Sequence, residues 1–393
     1  MRHYEYINND DIKRIFYIEP KRFDRNSSKE IISHSLGTTL YMPATREKIA
    51  EDIINNKNKG LKSIAICLED AIGDKEISIA ETSLIRTFEE LWESVKNGIV
   101  SMNNIPFIFI RVRTPEQMLK IAEDLGCSLE LLTGFIFPKF SIKNAGIYLE
   151  ELKNINSKYK KRIFAMPILE TSDVIYIEKR VETLNALKEI TDNFYDLVLN
   201  IRIGATDFSN IYGIRRGFDI NIYNIGILRD CISDIINKFG RIDKPYVISG
   251  PVWEYFSSGE RIMKPQLRST PFSDSYGKEG SDIRKKIIDA YVDGLMYEVI
   301  LDKANGLWGK TIIHPSHIIP VQSLYAVTYE EYIDALSIID NSNGDIGVLK
   351  SSSNNKMNEI KTHINWANKI MLRTEIYGVL NEGKSFTDLF NSR

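Results

Sequence analysis

The sequence predicts an α/β fold, a (β/α)₈ TIM barrel with an N-terminal extension and a C-terminal helical tail. Three observations lead to this prediction. Eight short apolar runs follow one another, segments of helical character separate them, and charged or titratable residues end most of the runs. Apolar strands that alternate with amphipathic helices indicate a parallel sheet buried on both faces. Eight repeats fit a closed barrel better than an open doubly wound sheet, which remains the alternative.

The predicted strands are Thr38–Ala44, Ser63–Asp70, Ile105–Arg113, Gly134–Phe140, Arg162–Thr171, Leu197–Asp207, Pro245–Trp253 and Lys310–Pro315. The predicted helices between them are Arg46–Asn56, Glu76–Lys96, Pro115–Leu125, Asn144–Ile155, Ser172–Asp196, Ile222–Phe239 and Ser281–Ala304. The polar stretch Glu254–Gly280 follows the seventh strand, where barrels place active-site loops, so it is either a lid or a disordered surface segment.

Three parts are expected along the chain. Residues 1–37 are polar and are predicted to pack on the outside of the domain, and residues 38–325 form the barrel. Residues 326–393 hold two helical patterns, Thr328–Asp340 and Met357–Leu380, which are expected to cover the barrel mouth or to mediate subunit contact.

Composition excludes several classes of protein. With 43% hydrophobic and 26% charged residues, the chain is an ordinary globular protein. A net charge of −2 and a pI near 6.3 do not indicate a basic surface that would bind nucleic acid or an anionic membrane. No apolar run reaches membrane-spanning length, and the first residues do not resemble a signal peptide. The three cysteines have no metal-ligand spacing, so a reduced, cytoplasmic protein is expected.

Two carboxylates end consecutive predicted strands. Glu170 lies at the carboxyl end of the fifth predicted strand and Asp207 at the carboxyl end of the sixth, with a crossover helix between them. Because neighbouring strands lie about 4.8 Å apart, both carboxylates can reach one hard cation such as Mg²⁺. The alternative is a pair of solvated loop acids.

Other strand ends deliver further polar groups. Arg111 and Arg113 are two residues apart, so both are predicted to face the barrel mouth, where a guanidinium can bind a carboxylate bidentately. An ion pair with Glu69 or Asp70 is the alternative, and for Arg113 it is as plausible as substrate contact. The small residues Gly204, Ala205 and Thr206 before Asp207 expose backbone N–H groups that suit an anion. Lys139 either forms a Schiff base or pairs with acids, and His314 either lines the site or makes a turn.

These motifs, in order, resemble one family. They are LYMPA (40–44), CLEDAI (67–72), IRVR (110–113), FPKF (137–140), ILET (168–171), GATDFS (204–209), SGP (249–251) and GLWGKTIIHPSHI (306–318). The set resembles the citrate lyase beta-subunit and malyl-CoA lyase family, which belongs with the HpcH/HpaI-type aldolases. Residues 20–45 further resemble the C–C bond lyase-like subgroup that is associated with tellurite-resistance and stress gene clusters.

The resemblance implies a TIM barrel that binds Mg²⁺ or Mn²⁺ through Glu170 and Asp207. It also implies a substrate carboxylate held by Arg111 and by the backbone near Ala205–Asp207, with Glu69 and Asp70 orienting the metal's waters or the arginine. Metal and arginine together would stabilise an enolate while a carbon–carbon bond breaks or forms.

Two departures from the family pattern argue against a CoA thioester as substrate. Thr38-Thr39 stands where CoA-using relatives tend to have arginine, and Arg113 replaces the usual asparagine of the VRVN motif. The sequence therefore predicts a metal-dependent carbon–carbon lyase or aldolase with a small carboxylate substrate. A Schiff-base aldolase that uses Lys139 and a catalytically silent barrel subunit of a multi-enzyme assembly are the alternatives. A homo-oligomer is expected by analogy.

Overall fold

The computed structural model describes residues 1–256, 290–344, 347–352 and 355–391. Its centre is a closed barrel of eight parallel strands in sequential order. The strands are β1 (Thr38–Pro43), β2 (Ser63–Cys67), β3 (Phe107–Arg111), β4 (Leu132–Phe137), β5 (Phe164–Leu169), β6 (Ile201–Ile203), β7 (Ile248–Trp253) and β8 (Lys310–Ile312). The barrel closes where Thr311 of β8 lies opposite Thr39 of β1. Each strand overlaps a predicted run, so the closed barrel is confirmed and the open sheet is wrong.

The helices surround this barrel. In the described residues they are Ile49–Ile54, Ile77–Lys96, Pro115–Asp124, Ala145–Tyr159, Ser172–Ile175, Ile177–Asn193, Ala205–Ile211, Gly226–Phe239, Ala290–Ala304 and Ile318–Ser323. Short 3₁₀ turns lie at Asp74–Glu76, Met102–Asn104, Gly126–Leu131, Ile222–Asn224 and Pro315–His317. None of the helices in this part of the chain combines the length and apolar character that a membrane span requires. Residues 257–280 of the predicted lid and residues 281–289 of the predicted helix lie outside the described ranges.

Strand side chains alternate between the barrel interior and the surrounding helices. On β3, Phe107 and Phe109 belong to the interior cluster, and Arg111 continues this inward row at the carboxyl end of the strand. On β5, Ile168 lies in the same cluster, and Glu170 continues its row beyond the strand. The apolar alternation that builds the interior therefore also aims a cation and a carboxylate into the barrel mouth.

The N-terminal segment closes the other end of the barrel. It forms a helix (Asn9–Ile15), a short strand (Phe16–Ile18) and a second helix (Lys29–Ser35). Its apolar side chains pack into the interior cluster beside the start of β3; they are Met1, Phe23, Ile32 and Leu36. The expectation that residues 1–37 pack on the outside of the domain is therefore wrong for these side chains, because they complete the core at the amino ends of the strands.

The C-terminal helices pack at the same amino end. Tyr329–Asp340 and Ile360–Tyr377 confirm the two helical patterns of the tail. The hydroxyl of Tyr377 and the indole N–H of Trp308, which precedes β8, both donate to the carbonyl of His34 at 2.8 Å. The tail therefore lies away from the carboxyl ends of the strands, and the prediction that it covers the mouth is wrong.

The remaining tail elements are short. They are Val348–Lys350, Met357–Glu359, Val379–Leu380 and Asp388–Asn391. The first two strands pair with each other, and the third pairs antiparallel with Phe16–Ile18 of the N-terminal segment. The chain's two ends are thus joined by backbone hydrogen bonds beneath the barrel.

Candidate active site

Arg111 brings together the carboxylates that follow neighbouring strands. Its Nη2 lies 2.6 Å from Glu69 Oε2, 2.9 Å from Asp70 Oδ2 and 3.4 Å from Glu170 Oε1. Glu69 and Asp70 follow β2, Arg111 ends β3, and Glu170 follows β5. The structure therefore places four predicted site residues in one cluster at the mouth. Arg111 and Glu170 are almost fully buried there, whereas half of the Asp70 side chain is exposed.

Lys139, which follows β4, completes this cluster. Its Nζ pairs with Glu69 and lies 3.1 Å from Asp70 Oδ1. Its backbone N–H donates to Glu170 Oε1 at 2.7 Å, with a left-handed φ of +48°. Burial disfavours the ammonium form, but the hydrogen bonds and charges of Glu69 and Asp70 outweigh it and hold the pKa of Lys139 above its ordinary value. Lys139 is thus kept protonated, which does not suit a Schiff-base nucleophile.

Glu170 packs directly against the turn after β6. A Cβ atom on Gly204 would lie 2.3 Å from Glu170 Oε2 and 2.4 Å from its Cβ, so only glycine fits there. The helix Ala205–Ile211 begins directly after Gly204 and places Asp207 in its first turn. The sixth strand therefore ends earlier than predicted, because residues 205–207 are helical. The N–H of Gly204 donates to the Leu169 carbonyl, so the predicted use of this N–H for an anion is wrong.

The charges of the cluster perturb one another. Burial is the main cause that raises the pKa of the Glu170 carboxyl to about 8; the Arg111 guanidinium opposes this shift, and the charges of Asp207 and Glu69 add to it. Burial also raises the pKa of Glu69 despite the nearby cations. For Arg111, burial disfavours the charged form, but Glu170 and Glu69 hold its pKa above the ordinary value. The site thus concentrates more negative charge than its cations neutralise.

The donor set suits a divalent cation. Among residues 1–256 and the described stretches after residue 289, no three His, Cys, Asp or Glu side chains are grouped as a metal site. Mg²⁺ needs fewer protein ligands, because one or two carboxylates with water and substrate oxygens complete its coordination. The charge of Asp207 raises the pKa of the buried Glu170 carboxyl, and a cation beside both groups would relieve that repulsion. The residues present therefore fit such an ion.

An ion-pair network holds the first turn of the helix that carries Asp207. Glu254, just after β7, accepts from the hydroxyl of Thr206 at 3.0 Å and from Nε of Arg216 at 2.8 Å. Arg216 also pairs with Glu298, whose other oxygen lies 2.8 Å from Nζ of Lys310. Sequence reasoning missed this network; the one available signal is that Glu254 directly follows an apolar strand.

Arg113 does not face the mouth as predicted. Its Nε donates to the Leu68 carbonyl at 2.7 Å, its Nη2 donates to the Ile72 carbonyl at 2.6 Å, and its Nη1 pairs with Asp74 at 2.8 Å. The predicted role in substrate binding is therefore wrong, because β3 ends at Arg111 and the following turn directs the next arginine towards the loop after β2.

We expect Arg113→Met to reduce stability and leave substrate selectivity unchanged. The variant leaves partly buried backbone carbonyls without their donor, so the free energy of unfolding should fall by about 1–3 kcal/mol. Denaturant unfolding measures this loss, with the exposed Arg86→Met as control. A stable variant with altered substrate preference would return Arg113 to the substrate site.

The two histidines after β8 contribute to local structure. Nδ1 of His314 lies 2.7 Å from the hydroxyl of Ser316, and its ring stacks on Phe256 with centroids 4.6 Å apart. This geometry fits the turn interpretation of His314. His317 is fully buried.

Comparisons with known proteins agree with this fold. None of the curated protein sequences matches the chain. A citrate lyase structure from Burkholderia xenovorans is similar, with a TM-score of 0.60, 11% identity, and coverage of 90% of this chain and 96% of that chain. The CitE protein of Mycobacterium tuberculosis, solved with magnesium, acetoacetate and coenzyme A, has a TM-score of 0.51, 16% identity, and coverage of 87% of this chain and 98% of that chain.

The family model shows more than these structural likenesses. The model described as "C-C_Bond_Lyase of the TIM-Barrel fold" matches residues 30–379. This range spans the whole barrel and most of the C-terminal tail. The chain therefore belongs to the C–C bond lyase family of the TIM-barrel fold.

Proposed function

We propose that this protein is a metal-dependent carbon–carbon lyase or aldolase that acts on an oxo acid or a hydroxy acid. The convergence of Arg111, Glu69, Asp70 and Glu170 at the carboxyl ends of the strands carries the proposal, since barrel enzymes have their active sites there. Family membership supports the reaction class. The CitE protein solved with magnesium and acetoacetate provides an analogy for a metal and a small carboxylate ligand.

Glu170 and Asp207 are the proposed ligands of Mg²⁺ or Mn²⁺. When bound, the metal supplies positive charge that stabilises negative charge developing on a substrate oxygen. Arg111 is proposed to bind the substrate carboxylate. Its Nη2 makes the contacts to the three carboxylates, whereas its Nη1 donates to none of the described residues. A charged donor is therefore left for the substrate.

The other charged groups of the cluster hold Arg111 in position. Glu69 and Asp70 fix its guanidinium, and Lys139 in turn fixes both carboxylates. The backbone N–H groups of Ala205–Asp207 belong to the first turn of a helix, where amides lack partners within the helix, and are proposed to face the substrate anion.

The case against a CoA thioester is now weaker. Arg113 binds backbone carbonyls, so its departure from the family motif says nothing about the substrate. Only the departure at Thr38 and Thr39 remains. Free oxo acids and hydroxy acids are accordingly the first substrates to test, with their CoA thioesters as the second set.

A cleavage assay on these acids, with and without EDTA, tests the proposal. We expect turnover that requires Mg²⁺ or Mn²⁺ and that borohydride does not inactivate. Turnover that persists in EDTA, with borohydride labelling of Lys139, would establish the Schiff-base alternative. A protein that binds neither metal and turns over no substrate would be the silent subunit.

Metal affinity should rise with pH. Because protons compete with the metal for a carboxyl whose pKa is about 8, the apparent affinity for Mg²⁺ should increase about tenfold per pH unit below pH 8 and level off above it. Calorimetric titrations between pH 6 and pH 9 measure this slope. An affinity that is constant over the range would remove Glu170 from the ligand set.

The same carboxyl should make the metal-free protein less stable as pH rises. Its pKa in the folded protein is about 8, above the ordinary value of 4.5, so the folded state binds the proton more tightly. Its contribution to stability is fully present below pH 4.5 and is lost as pH rises through 8. Saturating Mg²⁺ should reduce this loss in thermal melts.

A further inference from the structure

A buried arginine inside the barrel has no anionic partner among the residues that the structure describes. Arg202, the middle residue of β6, is 2% exposed. Its Nη2 donates to the hydroxyl of Thr311 at 2.5 Å, and its Nη1 lies 4.0 Å from Sδ of Met166. Its Nε has no hydrogen-bond partner, and no carboxylate of the described residues forms an ion pair with it. This arrangement leaves a buried positive charge uncompensated.

Such a charge is unusual in this protein. A guanidinium stays protonated in proteins, so it cannot avoid the free-energy cost of burying its charge by losing its proton. The buried Arg180 and Arg216 show the ordinary solution, because each pairs with a carboxylate and also donates to backbone carbonyls. Arg202 has one hydroxyl and a thioether instead. A buried charge of this kind is expected to have a partner that the chain itself does not supply.

Arg202 lies directly below the candidate active site. In the barrel register it is opposite Ile168, two residues before Glu170, and it precedes Gly204 by two residues. The half-buried ring of Tyr41 lies 5.4 Å from its guanidinium carbon. The charges of Arg202, Arg111 and Glu170 all act on the Tyr41 hydroxyl. Arg202 therefore lies deeper in the barrel than the proposed metal and carboxylate site.

We propose that Arg202 binds a second carboxylate of the substrate, so that the site takes a short dicarboxylic oxo acid or hydroxy acid. The inference rests on the proposed function for the first carboxylate, which Arg111 holds. A planar carboxylate matches the guanidinium fork of Arg202. Arg202 thus takes the role that the sequence assigned to Arg113, with its partner at the floor of the site rather than at the rim.

Succinate and butyrate form the matched probe pair, because they share a four-carbon chain and differ in one terminal carboxylate. Calorimetry at saturating Mg²⁺ should show that the unaltered protein binds succinate roughly tenfold to a hundredfold more tightly than butyrate. Arg202→Met should bring the two affinities together while the affinities for butyrate and Mg²⁺ stay within about threefold of the parent. Arg180→Met, which removes a buried arginine that is paired with Asp234, should keep the preference for succinate.

Equal binding of both acids by the unaltered protein, or a preference that survives Arg202→Met, would overturn the inference. Arg202→Gln serves if the methionine variant does not fold. If neither variant folds, crystals of the unaltered protein with succinate decide the matter by the presence or absence of a carboxylate at Arg202. Failure of the proposed function is separately visible, because the unaltered protein would then bind no Mg²⁺, whichever acid it prefers.

Discussion

Replacing Glu170 with glutamine should lower the affinity for Mg²⁺ by at least about a hundredfold, because a neutral amide cannot balance the charge of the ion. The fold should survive the change. Burial raises the pKa of this carboxyl to about 8, so its charge is unfavourable in the metal-free protein, and the amide removes that charge. We therefore expect Glu170→Gln in EDTA at pH 9 to melt no lower than the parent.

Asp207→Asn should weaken Mg²⁺ binding in the same direction. Calorimetric titration of both variants measures the effect, and Glu93→Gln, on the exposed face of the helix Ile77–Lys96, is the control for a carboxylate lost elsewhere. If either variant keeps a metal affinity within a few-fold of the parent, that residue is not a ligand.

Arg111→Lys should lower kcat/KM on every substrate by roughly 10²–10³-fold, the typical effect of removing a donor that stabilises developing charge. A lysine keeps the positive charge but loses the planar fork that spans two carboxylate oxygens. Its ammonium also cannot contact Glu69, Asp70 and Glu170 as the guanidinium does. The loss should therefore be similar for monocarboxylic and dicarboxylic substrates, unlike the selective effect expected at Arg202.

Steady-state kinetics over a panel of oxo acids and hydroxy acids tests this expectation. Arg180→Lys is the matched control, since Arg180 is buried and donates to the carbonyls of Val174 and Ile175 between helices. It should lose stability and keep turnover. Retention of the parent's kcat/KM within about tenfold by Arg111→Lys would show that charge alone suffices and would remove the bidentate role.

The barrel could be predicted from sequence because its strands are buried on both faces and appear as separate apolar runs. The alternation of side chains along a strand also predicted the positions of Arg111 and Glu170, since each continues an inward row of strand side chains. The burial of side chains from the N-terminal segment, residues 1–37, could not be predicted in this way. Its buried residue Phe23 stands alone in polar surroundings, and only the barrel's open amino end explains its burial.

Arg113 and Arg202 show where the alternation of side chains along a strand is not enough to predict a residue's role. The alternation of side chains does not extend to Arg113, because β3 ends at Arg111 and the following turn changes the direction of the Arg113 side chain. Arg202 follows the alternation, but it lies between Ile201 and Ile203 in a run that was interpreted as apolar throughout. An arginine inside an apolar strand is itself a signal, since burial of its charge requires a partner.

A crystal structure with Mn²⁺, recorded at the manganese absorption edge, tests the central claim most directly. We expect one strong anomalous peak at the barrel mouth, within coordination distance of a carboxylate oxygen of Glu170 and one of Asp207. A peak at another position, or no peak at saturating Mn²⁺ and pH 9, would contradict the assignment of these two residues as the metal site.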